Sequence, residues 1–192
     1  FLSILTGVPL LPIGVVDSES ALTQAVPLIE AIAFSRDGSR IACGCADGTI
    51  RVFNRNTAVL EHTLRGHEGS VRWLSYSAPG GWLFSADTRE VRMWDLERAI
   101  HPGVIVRSTS DLVSCAMDAQ ARLLVVLDES GAPNTRRLPD VNRHQIIGPE
   151  PNRITAVTTS PDSRWLAWSN DQGRIAITEF DGRRPRVEFD SD

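Results

Sequence analysis

A unit of about forty residues recurs along this 192-residue chain. Each copy contains short runs rich in β-branched and aromatic residues, separated by turn signals such as Asp-Gly, Pro-Gly and Pro-Asp. The clearest copy leads from Gly66-His67 through Ser85 and Asp87 to Trp94-Asp95. A period of this length, built from short strands and turns, is typical of a β-propeller blade.

The other copies repeat the same order of strands and turns, and the copy at 108–148 matches the pattern least well. Equivalent strand ends fall at Val16, Phe53, Trp94, Pro139 and Thr178. We therefore predict an all-β chain of about four and a half blades, each a four-stranded antiparallel sheet. The predicted divisions are a partial first blade at 1–29 and blades at approximately 30–65, 66–107, 108–148 and 149–192.

A chain of about four and a half blades does not fit a closed ring, because closed propellers consist of four to eight whole blades. We expect an incomplete or open propeller that is a segment of a longer protein. An open arc leaves unpaired strand edges, which invite association. Pairing with a second copy or with another chain is therefore the alternative expectation.

The copy from Gly66 to Asp95 resembles the WD40 family. It has a Gly-His pair, an apolar strand, a Pro-Gly turn, a Ser-x-Asp pattern and a final Trp-Asp. The resemblance implies a hydrogen-bonded set inside one blade, formed by His67, Ser85, Asp87 and Trp94. Such a set has a structural role, because a buried carboxylate is costly unless it is hydrogen-bonded.

The other copies depart further from the family pattern. Cys45-x-Asp47 and Phe53 stand where Ser-x-Asp and Trp are expected in the first full copy. The last copy keeps Ser169-x-Asp171 but has Thr178 near the Trp position. Its Ser-Pro-Asp segment is also similar to propeller repeats of the TolB type and of prolyl peptidases, and the Gly-His and Trp-Asp pairs favour WD40.

Composition agrees with a soluble, β-rich domain: 42% of residues are hydrophobic, 23% are charged and the net charge is −4. A negative net charge gives no indication of binding to nucleic acid, which is itself negatively charged. Residues 1–16 are apolar, but Pro and Gly interrupt them and they fall short of the ~20 residues that span a membrane. We expect no nucleic-acid or membrane partner and a cytoplasmic location.

Few residues offer catalytic or metal-binding chemistry. Three cysteines, Cys43, Cys45 and Cys115, include no C-x-x-C pair, so we expect buried free thiols and no metal site. The sequence lacks a nucleophile elbow, a phosphate loop, a zinc-protease motif and a calcium loop. We predict no catalytic residue and no cofactor, and hence no enzyme activity in this chain.

A non-catalytic scaffold for protein–protein interaction is the leading prediction. The WD40 resemblance implies that proteins or peptides dock on the loops at one face of the ring. Aligned copies place equivalent candidates at Glu30, Arg72, Val113 and Thr155, with Trp73 beside Arg72. Arg and Trp are enriched in binding hot spots. The alternative is a regulatory or substrate-gating part of a larger enzyme, such as a peptidase, a signalling ATPase or a kinase.

Overall fold

The computed structural model describes residues 27–77, 81–98, 103–118, 120–131, 133–138, 144–146, 153–179 and 187–190. These residues form sixteen strands, grouped in four antiparallel sheets of four strands each. None of the described segments forms a helix long and apolar enough to cross a membrane. The partial blade predicted at 1–29 lies outside the described residues, apart from its last three.

Each sheet is a meander in which consecutive strands are neighbours. The first sheet contains β1 (Ile29–Phe34), β2 (Arg40–Cys45), β3 (Ile50–Asn54) and β4 (Leu60–Leu64). The second contains β5 (Trp73–Tyr76), β6 (Trp82–Ala86), β7 (Glu90–Asp95) and β8 (Gly103–Arg107). The third contains β9 (Leu112–Met117), β10 (Leu123–Asp128), β11 (Pro133–Arg137) and β12 (His144–Ile146). The fourth contains β13 (Ile154–Thr159), β14 (Trp165–Asn170), β15 (Arg174–Glu179) and β16 (Val187–Asp190).

Tight turns with repeated chemistry connect the first two strands of the first and fourth sheets. The Asp37 carboxylate accepts hydrogen bonds from the Ser35 hydroxyl at 2.6 Å and the Ser39 amide at 3.1 Å. Asp162 accepts equivalent bonds from the Ser160 hydroxyl at 2.5 Å and the Arg164 amide at 3.1 Å. An Asp side chain that bonds to nearby backbone stabilises a turn, so the same short motif fixes the register of both hairpins.

The core lies between the sheets, because successive side chains of a strand point to opposite faces. In β10, Leu124 and Val126 pack toward the second sheet, whereas Val125 and Leu127 pack toward the fourth. A further apolar cluster joins the first two sheets. The four sheets are therefore stacked face to face in series, as the blades of a propeller are.

The two end sheets each keep one exposed apolar face. On β1, Ile32 is 63% exposed and Phe34 is 60% exposed, and on β16, Val187 is 56% exposed. The arc is therefore open, and the predicted all-β, open propeller is confirmed.

The first sheet lies close to the segment that leads into the second sheet at Gly44. A Cβ atom at this position would lie 2.7 Å from Val71 Cγ1 and 2.8 Å from the Val71 carbonyl oxygen. Such contacts are too short for carbon, and the carbonyl belongs to the backbone that leads into β5. Gly44 is therefore required by the distance between the sheets.

We expect Gly44→Ala to lower the free energy of unfolding by about 1–3 kcal/mol, the usual cost of overpacking a core. Gly69→Ala is the matched control, because its added Cβ would have ordinary contacts at 3.7 Å. Chemical denaturation of both variants measures the difference. Equal stabilities would contradict the proposed contact between the sheets.

Candidate functional site

The four aligned candidates occupy one structural position. Glu30, Val113 and Thr155 are each the extra residue in a β-bulge at the start of β1, β9 and β13. Arg72 immediately precedes β5, and its amide donates to the Ala86 carbonyl at 2.9 Å. All four residues are exposed. We call this end of the sheets, where the first strand of each sheet begins, the rim.

An ion pair at the rim links the first two blades. Arg72 Nε lies 3.3 Å from Glu30 Oε2, and the Arg72 side chain remains 64% exposed. Exposed ion pairs contribute about 0–1 kcal/mol to folding stability. The main effect of Glu30 is therefore to orient the Arg72 side chain. Trp73 is half-buried and packs against the core between the second and third sheets. Of these two neighbouring residues, Arg72 is exposed at the surface and Trp73 packs against the core.

A second arginine at the rim was missed by sequence reasoning. Arg89 lies in the turn between β6 and β7, and its Nε is 2.8 Å from Asp111 Oδ1. Its guanidinium also donates to the Thr109 carbonyl at 2.8 Å. Because Asp111 directly precedes β9, this contact connects the second and third blades. The available signal was the position of Arg89 two residues after Asp87, within a turn that faces the rim.

The structure brings His67, Ser85, Asp87 and Trp94 together in the second blade, and we call them the tetrad. Trp94 Nε1 donates to Ser85 Oγ at 2.7 Å, and Ser85 Oγ is 2.6 Å from His67 Nε2. His67 Nδ1 is 2.9 Å from Asp87 Oδ2. All four residues are buried.

The protonation states of the tetrad follow from this geometry. Burial lowers the pKa of His67 despite the opposing influence of the Asp87 carboxylate, so the ring is neutral near pH 7. Burial opposes ionisation of Asp87, but the Arg89 and Glu90 amides and the His67 ring together lower its pKa. His67 therefore donates from Nδ1 to Asp87 and accepts the Ser85 proton at Nε2. Protonation of His67 at acidic pH opposes folding, because the unfolded chain binds that proton more readily.

Asp87 connects the tetrad to the rim. Its Oδ1 accepts from the Arg89 amide at 2.7 Å and from the Glu90 amide at 2.8 Å. These two bonds shape the turn that carries the Arg89 side chain. The tetrad thus holds a rim residue in place, in addition to fastening the Gly66-His67 loop to the sheet.

Glu90 extends the tetrad with buried charge. Its carboxylate pairs with Arg92 Nε at 2.5 Å and with Arg107 Nη2 at 3.0 Å. His67, Asp87 and Glu90 offer potential ligand atoms within 4.8 Å of one another. Arginines and backbone amides already bond to the carboxylate oxygens, so the arrangement is a hydrogen-bonded network.

Strand register corrects two sequence matches outside the second blade. Ser85 stands opposite Leu74, and the corresponding residues in the first and fourth sheets are Cys43 and Trp168. Cys45 and Ser169, which match Ser-x-Asp in sequence, are therefore displaced along the strand. Phe53, Arg136 and Thr178 occupy the Trp94 position. Pro139, matched there from sequence, lies outside the described residues.

A polar cavity of about 290 Å³ lies between the first two sheets at the end opposite the rim. Tyr76 forms part of its lining, and the Tyr76 hydroxyl is buried with no hydrogen-bond partner among the described residues. Burial raises the pKa of Tyr76 to about 12. Because this is the chain's one tyrosine, its ionisation can be observed without interference from others.

Comparison with known proteins agrees with this geometry. The family model described as WD domain, G-beta repeat matches residues 23–54 and 58–95. The β-propeller domain of Cps50 (Swd1) from Myceliophteria thermophila superposes with a TM-score of 0.74 at 20% identity, covering 83% of this chain and 54% of that chain. A chain in the crystal structure of the Mitotic Checkpoint Complex gives a TM-score of 0.73 at 19% identity, covering 88% and 53%.

Relatives are also found by sequence. The COMPASS component SWD1 of Saccharomyces cerevisiae is 23% identical over 167 residues, covering 82% of this chain and 36% of the yeast protein. The WD repeat-containing protein VIP3 of Arabidopsis thaliana is 42% identical over 55 residues, covering 29% of this chain and 17% of its own length. The chain thus spans about half or less of the proteins it matches.

Four-stranded meanders that stack face to face with apolar cores between them are the architecture of the β-propeller repeat proteins, and this chain has that architecture. Within that class, residues 23–54 and 58–95 match the model of the WD40 repeat. The family was predicted from the Gly66–Asp95 copy, and that prediction is confirmed.

We expect Trp94→Ala to lower the free energy of unfolding by about 3–5 kcal/mol, as for other large truncations in a core. The variant loses inter-sheet packing and also the donor that bonds to Ser85. Trp165→Ala is the control, because Trp165 is only half-buried and should cost less. Denaturant titration measures both, and a loss below about 1 kcal/mol for Trp94→Ala would contradict the proposed role.

We expect Tyr76 in the folded chain to ionise with a midpoint near 12, following the phenolate absorbance as pH is raised. The chain unfolded in guanidinium should titrate near 10, the ordinary value for tyrosine. Because the unfolded state loses the proton first, folding stability should fall as pH rises above 10. A midpoint near 10 in the folded chain would show that the hydroxyl is accessible to water.

Proposed function

We propose that this chain is a non-catalytic scaffold that binds proteins or peptides through its rim. The observation that best supports this proposal is the Arg72–Glu30 ion pair, which holds a mostly exposed guanidinium at the junction of two blades. Arginine is enriched in binding hot spots, and its planar group forms two parallel hydrogen bonds with a carboxylate. A partner carboxylate could therefore bond to Arg72 while Glu30 fixes its orientation.

A second cation extends this surface along the rim. Arg89 is held by Asp111 at the next junction and its side chain is 59% exposed. Val113, which is 45% exposed, follows Asp111 by two residues at the rim position of the third blade. Two arginines and an apolar residue along one rim suit an extended peptide that carries acidic and apolar side chains.

The relatives support an interaction role. Two of them are identified as parts of assemblies, one as a component of COMPASS and one within the Mitotic Checkpoint Complex. No observation on the described residues favours a peptidase, ATPase or kinase association over binding alone. The scaffold is therefore the function we propose. We infer the kind of partner from the side chains at the rim and not from the names of the relatives.

We also propose a cytoplasmic location, which rests on the thiols. Cys43, Cys45 and Cys115 are free. Burial raises the pKa of Cys43 and raises that of Cys115 to about 12, so these thiols are poor nucleophiles. Free cysteines are common where the compartment keeps thiols reduced.

A random peptide library displayed on phage, selected on the folded chain, tests the proposed binding. Arg72→Ala should weaken binding of the selected peptides about tenfold or more, the range for a hot-spot residue. Its melting temperature should be unchanged, because the side chain is exposed. Fluorescence anisotropy with synthetic peptides measures the affinity.

Arg36→Ala is the matched control, because Arg36 is also exposed but lies in a turn at the opposite end of β1. It should leave the affinity unchanged. Equal affinities for the original chain and Arg72→Ala would remove Arg72 from the site. A marked drop in melting temperature would assign Arg72 a structural role instead.

A further inference from the structure

Each junction between described blades carries an arginine at the rim. Arg72 lies between the first and second blades, with its Nε 3.3 Å from Glu30 Oε2. Arg89 lies between the second and third blades, with its Nε 2.8 Å from Asp111 Oδ1. Their side chains remain 64% and 59% exposed. Both guanidiniums are therefore held in place and can still bond to a further group.

Arg153 occupies the junction of the third and fourth blades. It immediately precedes β13 and is exposed. A Cβ atom on Gly131, in the turn between β10 and β11, would lie 2.8 Å from Arg153 Cγ and 3.1 Å from Arg153 Cα. The stem of Arg153 therefore lies against the preceding blade at a position that needs glycine. Among the ion pairs of the described residues, none involves the Arg153 guanidinium.

The three arginines follow one another in the order of the blades. Sheets that stack face to face lie about 10 Å apart, so successive junctions repeat at about that distance. A peptide that crosses the blades along the rim meets one guanidinium at each junction. Because a carboxylate can accept two parallel hydrogen bonds from a guanidinium, a matching peptide presents one carboxylate about every 10 Å.

The backbone conformation of the peptide sets how many residues separate these carboxylates. A polyproline II helix has three residues per turn and rises about 3.1 Å per residue. Side chains three residues apart therefore lie on one side of the helix and about 9 Å from each other. A β-strand rises about 3.3 Å per residue, but its side chains alternate between two faces, so residues three apart point in opposite directions. The polyproline II conformation thus fits the spacing of the junctions.

Acidic side chains at the same end disfavour a continuous acidic peptide. Exposed acids lie in the turn between the second and third strands of the first, third and fourth blades, at Asp47, Glu129 and Asp171. The Glu129 amide donates to the Asp111 carbonyl at 2.9 Å, so this turn lies beside the Arg89 junction. Carboxylates between the three matched positions would add like-charge repulsion. Neutral residues suit the intervening positions.

We propose that the rim binds a proline-rich segment of a partner protein in the polyproline II conformation, with an acidic residue at every third position. Arg72, Arg89 and Arg153 each bond to one of three successive acids. This inference rests on the proposed function, because it names the kind of peptide that the same rim takes. Such a segment is already ordered before it binds, so little conformational entropy is lost.

Two synthetic peptides of equal composition test the spacing. Glu-Pro-Pro-Glu-Pro-Pro-Glu carries its acids at every third position, and Glu-Pro-Glu-Pro-Glu-Pro-Pro carries the same three acids at every second position. Fluorescence anisotropy at low ionic strength measures both affinities. The first peptide should bind about tenfold more tightly, as expected when two exposed ion pairs are lost from the second. Equal affinities, or no binding of the first peptide, would overturn the proposal.

A third peptide, with glutamine in place of the central glutamate, tests the assignment of the arginines. The central acid faces Arg89 whichever way the peptide runs. Arg89→Ala should weaken binding of the original peptide about threefold and leave binding of the glutamine peptide unchanged. Arg72→Ala and Arg153→Ala should weaken binding of both peptides.

Arg36→Ala, an exposed arginine at the opposite end of β1, is the control and should leave both affinities unchanged. All four variants should keep the melting temperature of the original chain, because these side chains are exposed. If Arg89→Ala weakened binding of both peptides by the same factor, the pairing of Arg89 with the central acid would be wrong.

The peptides selected on phage separate this inference from the scaffold function. If they bind in a manner that depends on Arg72 but lack acids at every third position, the scaffold function stands and the proposed partner is wrong. If no peptide is selected and neither synthetic peptide binds, both proposals fail.

Discussion

Apolar side chains project from both faces of each four-stranded sheet, and the rest of the structure depends on this constraint. A sheet of this kind with a single partner leaves one apolar face in water, which costs free energy. The alternating residues of β10, divided between two cores, show the constraint most directly. Stacking in series satisfies it for the second and third sheets, and it leaves the first and fourth sheets with the same requirement at the two ends.

The second blade carries the most specific interactions in this arc. Its tetrad satisfies a buried carboxylate through a chain of donors that begins at the Trp94 ring. In the first and fourth blades, the position of Ser85 is taken by Cys43 and Trp168, which cannot form the same chain. Those blades depend on packing with their neighbours, as expected in repeat arrays whose stability combines internal and nearest-neighbour contributions. A substitution that destabilises the second blade should therefore also destabilise the first and third blades, which pack on it.

The fold could be predicted because blade architecture repeats strand and turn signals that are local in sequence. The rim alignment of Glu30, Arg72, Val113 and Thr155 could also be predicted, since the strand that follows is similar in each copy. The tetrad equivalents could not, because turn lengths differ. Three residues separate Cys45 from Thr49, whereas two separate Asp87 from Glu90, across turns closed by equivalent amide bonds. A Ser-x-Asp match therefore shifts along the strand. The Arg89–Asp111 and Arg72–Glu30 pairs depend on the distance between blades, which sequence spacing does not contain.

The bulges at the rim have a consequence for how such a surface can change. An extra residue in a bulge stands outside the regular ladder of hydrogen bonds between strands. Glu30, Val113 and Thr155 occupy such positions, and their side chains are exposed. Substitution there alters what the surface can recognise while the ladder and the inter-sheet cores stay intact. The arc thus offers a row of variable positions on an invariant frame, on which new specificities could be grafted one blade at a time.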